Sequence, residues 1–243
     1  MEELSIGNKL TFNTIKPPLR DRRFFANAVY EDTITATLHI CRKACGQTAD
    51  NPWSTQEIDA LLSWLIRRDG YHRFKLYQQG YEDIYFQAYF NDVQAVRIGG
   101  AVYGLTLTLT TDSPYAYGET VSLDLDMNKG VNYPVVNLSS EIGSLAPHHL
   151  TIQCLEAGNL RLTNRSDNKI TGIANCSSQE LITMDAVHKL ITTSNPAHKL
   201  SNDFNYNYFQ LVRTYDSNIN VITSNLRCSL HLEYNPIRKV GIL

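Results

Sequence analysis

Seven histidines and five cysteines are the side chains of this sequence that could hold a metal or serve as nucleophile and base. His148 and His149 are adjacent rather than three or four residues apart, and no HExxH or HxH spacing accompanies them. His188, His198 and His231 reach that pair only through tertiary folding, so the pair reads as exposed loop polarity. Cys41 and Cys45 stand four apart, not as a CxxC pair, and Cys154, Cys176 and Cys228 are widely spaced. Five thiols at such spacings read as reduced and partly buried, in a protein made in a reducing cytosol. Zinc held by Cys41, Cys45 and a nearby histidine is the alternative.

The carboxylates divide in the same way. Asp124 and Asp126 share one face of SLDLDM, with Leu123 and Leu125 on the other, as a solvated sheet face requires. Glu82 and Asp83 are simply neighbours. A glycosidase pair is set in space rather than by sequence spacing, so a hydrolase stays open as a competing reading. There is no G-x-S-x-G elbow, P-loop or G-x-G-x-x-G, and IGGAVYG has no following helix to aim at phosphate. The doublets Arg22-Arg23 and Arg67-Arg68 read as solvated surface. The sequence therefore assigns no catalytic residue, cofactor or metal ligand. What remains is tyrosine, 14 copies of a rigid ring with a polar tip, suited to protein contacts and to stacking on sugars. In FNYNYFQL, alternation puts Tyr206 and Tyr208 opposite Asn205 and Asn207.

Those residues must be positioned by a chain of 243 residues, long enough for one large β-rich domain or two ordinary ones. Its 22 Lys+Arg nearly balance 24 Asp+Glu, which argues against a dedicated nucleic-acid binder. Twenty Asn and twenty Thr supply polarity without charge, and fifteen of those Asn follow Thr120, so the chain changes character near its middle. MEELSIGNKLTF has neither a basic n-region nor a long apolar stretch, and no run approaches the length of a membrane span; neither secretion nor membrane insertion is expected.

In the first half, ITATLHICR alternates as a strand. Ser54 and Glu57 form an S-x-x-E capping box, and Ile58, Leu61, Leu62, Leu65 and Ile66 follow as one apolar stripe. The spacing predicts a helix closing at Gly70, with Arg67 and Arg68 near its negative pole. Trp64 lies off the stripe and is expected to widen the buried face, an interface role being the alternative. Ile84, Phe86, Ala88 and Phe90 oppose Tyr85, Gln87 and Tyr89, so both faces of that strand carry aromatic area. Gly99-Gly100 reads as a tight reversal, and Leu105, Leu107 and Leu109 alternate with threonines in a half-buried strand. Past SPYAYGE come nine short segments separated by turn residues: TVSLDLDM, PVVNLS, LTIQCL, NLRLTN, ELITMD, KLITTS, YFQLV, INVIT and RCSLHLEY. That spacing argues for an antiparallel sandwich.

The order of these segments resembles the distal tail protein of long-tailed phages and prophages, and the broader phage tail-component family, over nearly the full chain. TIKPPLRDRRF, the helix TQEIDALLSWLIRRDGY and the junction Pro114-Tyr115-Ala116-Tyr117 match the first half. NYPVVNLSS, LRCSLHLEYNPIRK and QELITMDA match the second; within the last, Glu180, Leu181, Thr183 and Asp185 fit a G-E-x-L-x-I-D segment, with Gln179 where the family usually has glycine. The resemblance implies a mainly β protein with two domains. Residues 1–117 would be a ring-forming, tail-tube-like domain with one packed helix, and residues 118–243 a galectin-like antiparallel β-sandwich. It implies a homo-hexamer between the tail tube protein and the tail-associated lysin, tail fibre or baseplate proteins, leaving a passage for DNA without specific nucleic-acid binding. Such a subunit is a scaffold rather than an enzyme, located in the virion tail and assembled in the bacterial host cytoplasm. Larger relatives insert carbohydrate-binding modules, for which this chain has no comparable length. Candidate subunit or partner contacts are Arg20, Arg22, Phe24, Phe25, Tyr85, Tyr89, Tyr115 and Tyr117. The competing reading is a carbohydrate-binding sandwich mediating host attachment, which would need an exposed aromatic platform beside polar groups.

Overall fold

The computed structural model describes residues 10–18, 20–30, 33–41, 52–66 and 69–240. Cys45, Arg67 and Arg68 lie outside them. The chain divides into two compact units, one reaching to Ala116 and the other covering Tyr117–Arg238, with Lys239 and Val240 grouped with the first.

The first unit begins with a hairpin of β1 (Leu10–Ile15) and β2 (Phe24–Tyr30), antiparallel with a register shift between Asn13 and Thr14. Its main sheet uses β3 (Thr35–Cys41), β4 (His72–Phe74), β5 (Ile84–Ile98), β6 (Ala101–Thr111) and β7 (Ala116–Gly118), with helix α1 (Thr55–Leu65) between β3 and β4. The strand order is β7-β5-β6-β3, and β4 also pairs with β5. Gly99 and Gly100, at φ 58° and 89°, form the two-residue reversal between β5 and β6, where Ile98 pairs with Ala101. Two positive φ values are what such a turn needs and what glycine accepts without strain.

Alternation decides which face of that sheet is covered. Leu105, Leu107 and Leu109 are at most 3% exposed, while Thr106, Thr108 and Thr110 turn to the other side. Near the β5–β6 reversal, Ile58, Leu61 and Leu65 of α1 pack on Val102, Leu105 and Leu107; further along, Ile34, Ala36, Phe86, Ala88, Leu109 and Ala116 make a second cluster. The capping box forms as the sequence indicated: the Glu57 amide donates to Ser54 Oγ (3.3 Å) and the Ser54 amide to Glu57 Oε2 (2.9 Å). The helix stops earlier than expected. Ile66 caps it, donating to the Leu62 carbonyl at 2.8 Å, so Gly70, though at φ 116°, belongs to the following loop. Trp64 is 63% exposed, which corrects the expectation that it widens the buried face.

The second unit contains β8 (Val121–Met127), β9 (Tyr133–Val136), β10 (Gly143–Leu145), β11 (His149–Cys154), β12 (Gly158–Asn164), β13 (Lys169–Cys176), β14 (Leu181–Asp185), β15 (Leu190–Thr193), the one-turn helix α2 (Leu200–Asp203), β16 (Leu211–Arg213), β17 (Ile219–Ser224), β18 (Cys228–Tyr234) and β19 (Ile237–Arg238). Two antiparallel sheets, β15-β14-β11-β18-β8 and β13-β12-β17-β9, share one core. Leu150, Ile152, Ile182, Leu230 and Leu232 come from the first, and Leu160, Leu162, Ile173 and Ile222 from the second. The protein is thus mainly β, and its second unit is an antiparallel sandwich. β13 has no counterpart among the segments expected from sequence: Gly172 and Asn175 interrupt KITGIANC, yet Thr171 and Ile173 alternate inward. Conversely, FNYNYFQL is not a strand up to Gln210, and Tyr206 sits at φ 58°.

Candidate functional site

Folding draws several of the chemically suggestive residues into two clusters. On the outer face of the five-stranded sheet, β18 sets His231 opposite Asp124 of β8 and Thr151 of β11, with His149 of β11 on the diagonal, opposite Glu233. His231 Nδ1 lies 2.7 Å from Asp124 Oδ1 and its Nε2 3.3 Å from Glu233 Oε1. The His149 ring meets His231 edge-on at 6.0 Å, and His148 Nε2 is 3.6 Å from Glu233 Oε2. The hydrogen bond to Asp124, aided by Glu233 and opposed by burial, raises the His231 pKa above its ordinary value. Asp124 is 81% exposed at its side chain, as a solvated sheet face predicts. Among the described residues no group of three or more His, Cys, Asp or Glu is arranged to hold a metal ion.

The second cluster is buried. Glu180, with a fully buried side chain, accepts from the Ser177 amide (2.7 Å), from the Thr193 hydroxyl and from His198 Nδ1 at 2.6 Å. Burial opposes ionisation, but these donors hold the Glu180 carboxyl below its usual range; burial likewise opposes protonation of His198, and Glu180 overcomes it. Each partner of this buried pair thus favours the other's charged form. His198 Nε2 faces Asp203 Oδ2 at 3.4 Å, in ion-pair rather than hydrogen-bond geometry, and Asn175 Nδ2 fastens Asp203 at 2.8 Å. This arrangement ties β13, β14, β15 and α2 together and leaves neither charged group facing solvent. Gln179, just before it, occupies φ 65°, which explains why a glycine suits that position. Asp185 at the other end accepts from the Val187 and His188 amides, each at 2.9 Å, and closes a turn. The segment that resembles the family's G-E-x-L-x-I-D pattern is a structural fastener, held at Glu180 and at Asp185.

The buried thiols act on one another, contact with Cys154 drawing the Cys176 pKa below its ordinary value. Cys154, Cys176 and Cys228 are buried and free, and contact with Cys176 together with burial pushes the Cys154 thiol far above its ordinary pKa. A protonated buried thiol is a poor nucleophile. Cys41 is exposed.

Exposed apolar surface is the alternative kind of site, and it concentrates on the β1–β2 hairpin. Phe12, Ile15, Phe24, Phe25 and Val29 are all half exposed or nearly so, with Phe25 and Ile15 at 63%. Phe12 and Phe25 pack edge-to-face at 5.9 Å, and Asn13 donates to Asn27 across the strands at 2.8 Å. Arg20 and Arg22 are exposed in the connecting loop, so four of the sequence-derived contact candidates lie on one hairpin. The other four are partly consumed inside the chain. Tyr85 is 7% exposed beneath the Arg73 guanidinium, 4.1 Å from the ring centroid, and has little surface left to offer. Tyr89 is half-buried against Tyr71, Tyr115 packs edge-on to Tyr30, and Tyr117 is half-buried. Sequence reasoning missed Phe12 and Ile15, whose partners across the hairpin become visible only with its register.

Comparison with known proteins follows this division. The model of a phage tail protein N-terminal domain matches residues 1–113, and that of a phage tail C-terminal domain matches residues 115–234. No curated protein matches the sequence. Among solved structures, the chain is similar to the SPP1 Dit (gp 19.1) protein, described as a paradigm of the hub adsorption apparatus in phages infecting Gram-positive hosts. The TM-score is 0.63 at 11% identity, over 93% of this chain and 88% of that one. At that identity the likeness is one of fold. A looser likeness, TM-score 0.44 at 12% identity over 98% and 89% of the two chains, is to a component of the phage P2 baseplate in its activated conformation.

Proposed function

This chain belongs to the phage tail protein family, and from that premise we propose that it is the hub at the distal end of a phage tail. In this reading residues 1–117 close into a six-membered ring that continues the tail tube, and the sandwich of residues 118–243 carries docking surfaces for a tail-associated lysin, tail fibre or baseplate protein. The chain works as a scaffold, assembled in the cytoplasm of the bacterial host, and catalyses nothing. The observation that carries the reading is the β1–β2 hairpin. A strand pair exposing Phe12, Ile15, Phe24 and Phe25 is unfavourable in water and is what a subunit interface buries. A ring needs a heterologous contact, one patch meeting a different patch on the next copy, and a protruding hairpin suits that geometry. Arg20 and Arg22 at its tip, with Tyr89, Tyr115 and Tyr117, are the remaining contact candidates.

The uncovered sheet face fits the same role. Thr35, Thr37, Thr106, Thr108 and Thr110 line it with His39, whose Nδ1 is 3.1 Å from Thr106 Oγ1. A wall of threonine hydroxyls, with Arg73 of the same face lying over Tyr85, lets DNA pass without gripping it, because tight binding rests on phosphate neutralisation. Light scattering combined with negative-stain imaging tests the proposal. The expected result is a sixfold ring with a central channel; a chain that stays monomeric or dimeric at all salt and protein concentrations, even with the tube protein added, overturns the ring.

A further inference from the structure

We propose that the turn around Tyr206 in the sandwich is a binding site for an anionic carbohydrate, a sugar bearing a carboxylate or a phosphate. Independent of the hub reading, it starts from a backbone anomaly. Tyr206 adopts φ 58°, a conformation that bulky side chains rarely accept and that persists only where the surroundings hold it. The surroundings here are specific. Asn205 Oδ1 accepts from the Asn207 amide at 3.1 Å, and the side-chain amides of Asn205 and Asn207 both donate to the Ile170 carbonyl at 2.9 Å. The two asparagines bracket the tyrosine and aim it outward.

The ring is held as well as presented. Its hydroxyl donates to the Ser201 carbonyl at 2.9 Å, and its plane lies tilted on buried Phe204, 5.5 Å between centroids. Even so, Tyr206 remains 65% exposed. A ring backed on one side and pinned at its tip can receive a ligand with little further loss of side-chain entropy. Beside it is a recess of about 440 Å³ lined by Lys169, Lys189, Tyr206, Asn207, Tyr208 and Gln210. Such a volume lies in the usual range for small-molecule sites, about 300–1,000 Å³.

The lining selects the ligand class. Lys189 Nζ lies 4.9 Å from the Tyr208 ring centroid; Lys169 Nζ lies 3.3 Å from Gln210 Oε1 and 3.8 Å from Asp167 Oδ2. Two ammonium groups with one adjoining carboxylate favour an anion. A tyrosine face suits the C–H face of a sugar ring, and Asn and Gln amides suit its hydroxyls. An extended peptide would instead seek a sheet edge or an apolar groove.

Saturation-transfer NMR and calorimetry on the full chain test the site with trigalacturonate, glucose 6-phosphate and neutral galactotriose. At least one anionic probe should bind with a Kd of ~1 mM or tighter, and galactotriose about tenfold more weakly or worse. Binding of one anionic probe alone assigns the carboxylate or the phosphate as the recognised group. Tyr206→Gly, compatible with the observed φ, should keep the fold and lose about tenfold in affinity. Combining Lys169→Gln with Lys189→Gln should abolish the preference for charge, and this variant decides the matter if Tyr206→Gly folds poorly. The proposal is overturned if neither anionic probe binds, if a correctly folded variant binds like wild type, if the neutral sugar binds equally, or if a polyglutamate peptide outcompetes both sugars.

Discussion

Among the described residues, side chains from two sheets of the sandwich meet in a single core of twenty buried apolar residues, whereas the first unit sets eight and three such residues in two clusters along one sheet. Both units are built from alternating strands, although β5 and β6, at fifteen and eleven residues, are longer than any in the sandwich, so strand chemistry is not what separates them. The difference is what lies over the alternation. In the second unit every inward face finds another sheet. In the first, an eleven-residue helix covers one stretch, no residue of that helix is fully buried, and the β1–β2 hairpin stays exposed. A self-sufficient core suits a rigid docking module; an incompletely covered one suits a subunit that finishes its burial against neighbours.

Substitutions can break this comparison, and the largest effect is expected where the sandwich is most closed. His198→Ala leaves Glu180 charged and buried without its partner, which costs about 3–5 kcal/mol in denaturant unfolding if the second unit is the rigid one. The pH dependence has a defined sign. His198 has a raised folded pKa, so its contribution is complete below its ordinary value of 6.5 and fades as pH rises through the folded value. Glu180 has a lowered folded pKa, so its contribution is complete above its ordinary value of 4.5 and fades as pH falls through the folded value. The gap between wild type and variant should therefore be widest between pH 4.5 and 6.5. A small, pH-independent gap would show that the pair does not hold the sandwich.

A middling effect is expected at the edge of the first unit. Ser54→Ala removes the cap of α1 and should cost about 1 kcal/mol, read as a shift of the first unit's unfolding midpoint. A much larger loss would mean that the helix carries more of that unit than its partial burial indicates. The smallest stability effect belongs to the hairpin. Phe24→Ser should change subunit stability by less than about 0.5 kcal/mol, because its ring is half exposed, and Phe25→Ser by about 0.5 kcal/mol, because it also gives up the edge-on contact with Phe12. The same pair should abolish self-association in light scattering. A destabilised but still associating variant would move the hairpin from interface to core.

Much of the fold was legible because it rests on neighbours in sequence. Ser54 and Glu57 are one helical turn apart, Gly99-Gly100 makes its own turn, and Leu105 to Thr110 states its alternation directly. The strand Lys169–Cys176 was not legible, since Gly172 looks like punctuation until Arg161 of β12 pairs with it, and Asn175 sits at the register shift of the same pairing. The candidate sites divide the same way. Arg20, Arg22, Phe24 and Phe25 lie close together in the chain and remain together on the hairpin, whereas Tyr85 looked available until Arg73 was found above it.

By itself, then, the sequence determined the β-rich class, the change of character near residue 120, the helix start and the family's segment order. All of these are local patterns or their succession. Tertiary structure decided which side chains remain available. His198 and Glu180 are 18 residues apart and Asp124 and His231 are 107 apart, yet each pair is in direct contact. It also decided that Tyr206 faces water while Tyr85 does not. Burial and pairing depend on what the rest of the chain places opposite a residue, and periodicity reveals a face without revealing what covers it.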